Sequence, residues 1–236
     1  MPMIFDLKND LKKLVNPKKA LILQRFFKTG KGEYGEGDVF LGVTVPESRK
    51  IATKYKDLSF NEIHGLLKSK IHEERLIALL ILVHNFKSGS DEEKKKIFDY
   101  YLANSKYINN WDLVDLSAGY IVGKYLFDKP RGILVELAKS DSMWERRIAI
   151  IATFAFIYAH DFEETFKIAE ILISDKTDLI QKAVGWMLRE VGKRCGREIE
   201  EEFLVRHYKQ MGRTCLRYAI EHFPEKTRKD YLLGTI

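Results

Sequence analysis

Glu74-Arg75-Leu76-Ile77-Ala78 recurs as Glu145-Arg146-Arg147-Ile148-Ala149, 71 residues further along the chain. That interval is two units of about 35 residues, the length of a helix-pair repeat. One more unit from Arg147 reaches Lys182, and another reaches Arg217; Ala149 maps in the same way onto Val184 and Ala219. Helix pairs of this period stack so that equivalent positions form a column on one surface. Arg147, Lys182 and Arg217 would then make a basic column that suits a run of phosphates. The same three residues also read as solvated helix-face charges, and periodicity alone does not separate the two.

The rest of the pattern is helical as well. Leu7, Leu11 and Leu14 keep a helical period over residues 4–15, and Asn16-Pro17 breaks it. A second helix is expected over 18–27. Thr29 to Asp38 holds four glycines in ten residues and reads as a loop; it lacks the spacing of a phosphate-cradling fingerprint. Residues 39–45 could be extended, but no strand elsewhere offers a partner, so they read as a loop packed on helices. Pro46 sits in the first turn of a helix to about Tyr55. Ser59 with Glu62 forms a capping box for the next. Further helices are expected at 62–68, 73–86, 91–102, 111–126, 131–139, 143–159, 161–173, 178–192, 197–208, 214–222 and 226–232. The fold class is all-α, a solenoid of stacked antiparallel helix pairs expected to form a single domain over 1–236.

Composition narrows the classes. The balance is that of a soluble globular chain, 45% hydrophobic and 31% charged. A net charge of +6 points to a polyanionic partner. Cys195 and Cys215 lack a CxxC partner and suit a reducing, cytoplasmic setting as structural thiols. The N-terminal stretch carries acids and does not read as a signal peptide, and no apolar run is long enough for a membrane span. The six histidines are scattered without metal-ligand spacing, and no GxSxG elbow is present. No metal and no cofactor are expected.

Chemistry is concentrated in Asn109-Asn110-Trp111-Asp112-Leu113-Val114-Asp115. Trp111 and Asp115, four apart, share one helix face. Asp112 lies about 100° away, behind Asn109 or Asn110 as cap, where a carboxylate favours the helix dipole; its expected role is structural. Asp115 lies among Leu113, Val114 and Leu116, where a carboxylate is exposed, paired or functional. Trp186 is flanked by Lys182 and Arg189 on its own face, an arrangement that suits a stacked anionic ligand.

With Trp111 to Asp115, Trp144-Glu145-Arg146-Arg147-Ile148-Ala149-Ile150 and Gln181-Lys182-Ala183-Val184-Gly185-Trp186-Met187-Leu188-Arg189-Glu190 together, the chain resembles the AlkD-like family of DNA alkylation repair glycosylases. Lys28 to Gly35 and Val45-Pro46-Glu47-Ser48-Arg49 carry the resemblance over most of the chain. It implies a superhelix of HEAT-like pairs with a basic concave face. It also implies that Asp115 is the catalytic aspartate, that Trp111 and Trp186 are the cleft tryptophans, and that Arg147 contacts a phosphate. Lys182, Arg189 and Arg217 would add backbone contacts. The implied reaction is hydrolysis of the N-glycosidic bond of N3- or N7-alkylated purines in duplex DNA; a long solenoid with a concave site can work as a monomer, and a monomer is expected. One carboxylate is enough for that chemistry, because an alkylated base is already cationic and leaves without the second, proton-donating carboxyl that most glycosidases need. Two other readings stay open: a non-catalytic binder of branched or bent DNA on the same basic face, and a HEAT-type scaffold for a protein partner.

Overall fold

The computed structural model describes residues 3–236, whose regular secondary structure is helical apart from one isolated bridge between Val39 and Ile71. The chain divides into two compact units, one ending at Ser117 and one running Ala118–Ile236.

The first unit contains α1 (Met3–Lys12), α2 (Pro17–Phe26), α3 (Val45–Lys54), α4 (Phe60–Leu67), α5 (His72–Ser88), α6 (Asp91–Ala103) and α7 (Trp111–Asp115). Its starts follow the chemistry legible in the sequence. Asn16 accepts from the Lys19 N–H ahead of Pro17, and capping boxes open α3, α4 and α6 at Thr44/Glu47, Ser59/Glu62 and Ser90/Glu93. Each such cap supplies about 0.5–2 kcal/mol by satisfying N–H groups that the first turn leaves orphaned. The organising element is α5. Leu76, Ile77, Ala78, Leu79, Ile81 and Leu82 are all buried, and α3, α4, α6 and α7 pack around it. A helix that is apolar on every side is a core helix.

The second unit contains α8 (Gly132–Ala138), α9 (Met143–Ala152), α10 (Phe154–Ile157), α11 (Glu163–Leu172), α12 (Asp178–Arg194), α13 (Arg197–His207), α14 (Arg213–Ala219) and α15 (Glu225–Leu233). Here α12 takes the central place, packed against α9, α11, α13 and α14. Gly185 lets α14 come close: a Cβ there would lie 2.3 Å from the Cys215 carbonyl oxygen and 2.6 Å from the Tyr218 Cβ.

Two expected helices are interrupted. The segment 111–126 ends its first helix at Asp115 and resumes as a π-helical stretch, Gly119–Gly123. The Ser117 hydroxyl donates 2.5 Å to the Leu113 carbonyl and meets the Tyr101 hydroxyl at 2.8 Å, a side-chain bond that competes with the helix ladder. In the same way Thr153, whose hydroxyl donates 2.7 Å to the Ile150 carbonyl, separates α9 from α10 inside the expected 143–159 helix.

The repeat has a structural counterpart at the turns that start α5, α9 and α12. The Ser69 hydroxyl accepts from the Ile71 N–H at 3.0 Å, while Arg75 Nη1 donates 2.9 Å to the Ser69 carbonyl. Ser140, Ser142 and Arg146 repeat this at 3.1 and 2.9 Å. Asp175, Thr177 and Gln181 do so again at 2.8 and 3.1 Å. Each turn thus fastens its own backbone with one side chain before the helix and one in its first turn. A carboxylate completes the first two copies: Asp38 on Arg75 and Asp175 on Arg146, both at 2.7 Å.

Candidate functional site

In the first unit, α7 carries both Trp111 and Asp115. A five-residue helix has no stability of its own, since nucleation costs more than one turn returns. Its place is set by neighbours. Asn110 caps it twice over: Oδ1 accepts from the Trp111 N–H at 2.8 Å, and Nδ2 donates 3.2 Å to Asp38 Oδ2. That same Asp38 oxygen accepts from Arg75 Nη2 at 2.7 Å and faces His72 Nδ1 at 3.2 Å. The other ring nitrogen, Nε2, lies 2.8 Å from Asp112 Oδ2. The expected helix-start charge at Asp112 is therefore a buried partner of His72.

His72 is 2% exposed. Burial alone would pull its pKa down, but the Asp112 charge and the hydrogen bonds that the ring donates to both carboxylates outweigh it and raise the group to about 8. Burial opposes the ionised form of Asp38 too, yet His72, Arg75 and Asn110 hold its carboxyl below the ordinary value. With a carboxylate at each ring nitrogen, the imidazole is a doubly protonated donor at neutral pH.

Rings fill the space beside this network. Trp111 stacks on Phe27 (centroids 5.1 Å, planes 12° apart), Phe27 on Phe40 (4.9 Å, 22°), and Phe40 on His72 (4.4 Å, 22°). Phe26 meets the indole edge-on at 5.9 Å. A cavity of about 330 Å³ reaches this wall, lined by Phe26, Phe27, Phe40, Val43, His72 and Asp112 among others. The segment that follows the glycine-rich loop is fixed by a second buried carboxylate: Glu73 accepts the N–H groups of Leu41, Gly42 and Val43 at 2.8–3.2 Å. Gly42 has φ +83°, and a Cβ on it would lie 2.2 Å from the Asn16 carbonyl oxygen; only glycine fits this turn. Beneath α7, the buried Tyr101 hydroxyl is pushed well above its ordinary pKa, first by burial and also by the Asp115 charge.

The second unit holds the other candidates. Arg147 on α9 is buried, and its Nη1 donates to the Leu179 carbonyl of α12. Lys182 pairs with Asp178 at 2.7 Å, and Arg189 pairs with Glu221. Trp186 is half-buried, with Nε1 3.4 Å from Glu190 Oε1 and its ring 5.8 Å from Phe154. Arg217 is exposed on α14. Arg147, Lys182 and Arg217 therefore occupy three helices, α9, α12 and α14, packed in that order. Burial raises both thiols, Cys215 to about 12, so neither is a poised nucleophile. Among the described residues no cluster of His, Cys, Asp or Glu could hold a metal, and no helix is long and apolar enough to cross a membrane.

The family model described as "DNA alkylation repair enzyme" matches residues 7–223. The chain belongs to that family. No curated protein matches the chain. Among solved structures, a predicted DNA alkylation repair enzyme from Enterococcus faecalis is similar at a TM-score of 0.70 and 18% identity, covering 89% of this chain and 97% of its own. AlkD2 from Streptococcus mutans is similar at 0.57 and 16%, covering 88% and 98%. At such identities the likeness shows the fold, an all-α solenoid of helix pairs, and the family match adds an alkylation repair enzyme as its class.

Proposed function

We propose that this member of the family is a DNA glycosylase that releases N3- and N7-alkylated purines from duplex DNA. The observation that carries the reading is the pairing of an indole wall and a carboxylate on α7, braced from below by buried polar bonds and from the side by stacked rings. A pre-set carboxylate in such a place stabilises positive charge that develops on a neighbouring sugar.

In this mechanism the cationic base leaves with the glycosidic electron pair, and the deoxyribose becomes oxocarbenium-like. The Asp115 carboxylate stabilises that sugar and orients the water that adds to it, accepting the water's proton. Trp111 and Trp186 are each assigned apolar and cation–π contact with the substrate, worth ~0.5–2 kcal/mol per contact. Arg147 contacts a phosphate, with Lys182, Arg189 and Arg217 adding backbone attraction.

The test is Asp115→Asn, assayed in single turnover on a duplex holding one N7-methylguanine, with binding measured in parallel. Release is expected to fall by about 10²–10³-fold while affinity holds. Excision at the wild-type rate sinks the assignment of Asp115. A wild-type protein that binds the duplex yet never releases the base would instead be a binder of DNA structure.

A further inference from the structure

The Asp38–His72–Asp112 network takes no part in that mechanism, yet it is a buried titratable cluster set against the start of α7. We propose that His72 is the positioning residue for the α7 site: doubly protonated, it ties the glycine-rich loop to the first turn of α7 and so fixes the Trp111 indole and the Asp115 carboxylate. The inference about catalysis rests on the glycosylase reading; the inference about geometry does not.

Asp38 keeps two donors besides His72, namely Arg75 and Asn110. Asp112 does not: Oδ2 meets His72, and the buried Oδ1 has no partner among the described residues. A buried carboxylate with one hydrogen-bond donor depends on that donor. A doubly protonated ring serves both carboxylates at once. A neutral ring has one N–H, so one nitrogen lone pair then faces a carboxylate oxygen and one tie becomes a repulsion. The charges facing His72 are Asp38 from the loop, Asp112 from α7 and Arg75 from its own helix. Glu73 is turned to the loop N–H groups, and Lys19 of α2 lines the cavity beside the ring. The rings packed on it, Phe27 and Phe40, carry no charge. Two carboxylates therefore face one guanidinium and the imidazolium, and losing the imidazolium proton leaves a buried negative charge.

The consequence reaches Trp111 by two routes. Asp112 adjoins it on the first turn of α7, and the stack His72–Phe40–Phe27–Trp111 joins the two rings directly. Without this tie a five-residue helix has little to hold its register. The direction with pH is fixed. His72 is raised above its ordinary value, so its contribution is complete below about pH 6.5 and is lost as the pH rises through about 8.

The experiment follows the ring nitrogens of His72 and the indole N–H of Trp111 by NMR on the full chain from pH 6 to 9, with Trp111→Phe for assignment. The two are expected to titrate with one midpoint near 8. Asp112→Asn removes the strongest charge that favours the imidazolium and is expected to lower both midpoints by at least one pH unit. In parallel, single-turnover release of N7-methylguanine is expected to fall about tenfold per pH unit above the midpoint, with DNA affinity unchanged and the alkaline limb shifted in Asp112→Asn. A limb that belongs to the substrate stays where it is. A Trp111 resonance indifferent to the titration of His72, or a midpoint unmoved by Asp112→Asn, overturns the proposal. Should Asp112→Asn fail to fold, His72→Gln replaces it: its Trp111 resonance is expected to sit at the wild-type alkaline position at every pH, and retention of the acid-form position overturns the proposal. Co-titration without base release at any pH refutes the glycosylase reading and leaves the positioning role standing; base release with an indifferent Trp111 does the reverse.

Discussion

The two 17-residue helices α5 and α12 are built to different ends. The α5 helix opens with His72, Glu73, Glu74 and Arg75, all buried, and directs these charges onto the loop, α1 and α7. The α12 helix buries Glu190 alone among its charged residues and keeps Lys182 and Arg189 partly exposed, the first paired with Asp178 on the same helix and the second with Glu221. The first helix spends its polar groups on fixing backbone; the second displays them. Positioning and charge display are thus assigned to different units.

The sharpest way to break this contrast is to remove the equivalent carboxylates. Asp38→Ala leaves Arg75, His72 and Asn110 facing an empty site, and an expected loss of about 3–5 kcal/mol follows from stranding buried charge. Asp175→Ala strips the matching Arg146, which is partly exposed and also bonds to two carbonyls, so a cost of about 1–3 kcal/mol is expected. Urea denaturation of both variants decides; equal losses would erase the distinction.

Function comes next in size. Asp115→Asn is expected to cost about 10²–10³ in release rate with stability little changed, while Arg147→Ala weakens affinity across all duplex sequences and lowers the salt slope by about one. An unchanged slope would remove Arg147 from the phosphate contacts. Gly185→Ala forces a methyl against the Cys215 carbonyl and the Tyr218 Cβ, for an expected loss of about 1–3 kcal/mol in thermal unfolding. The smallest effect is that of Lys182→Ala. Its half-exposed pair with Asp178 should contribute less than about 1 kcal/mol to stability, so any larger change would show that the displayed charges also hold the unit together.

Much of the fold was legible because helix-making rules are local. The Ser59/Glu62 capping box, the break at Asn16-Pro17, the Pro46 start and the 71-residue recurrence can all be read from short stretches of sequence. The interruptions at Ser117 and Thr153 were not legible, since a hydroxyl bonding back to its own helix leaves no mark on apolar periodicity. The site divided in the same manner. That Trp111 and Asp115 share one helix was legible from their spacing. The network that holds them was not, because His72 meets partners 34 and 40 residues away in sequence. In isolation it was one of six scattered histidines. The only hint was a lone aspartate, Asp38, closing a loop rich in glycine.

The fastening at the starts of α5, α9 and α12 has a consequence for how such a chain changes length. Each joint meets the hydrogen-bond needs of its own turn with side chains two residues ahead of the helix cap and three or four into the helix. The α9 and α12 joints are also tied to each other, Arg146 to Asp175 and Thr177, so a pair gained or lost between them has to bring a carboxylate for that arginine with it. Where the next copy falls due, at Gln210, Gly212 and Leu216, the side chains for the joint are missing and the Gln181 side chain sits against Gly212. The modular stretch ends there, and growth by whole pairs is expected to be tolerated before that point and not after it.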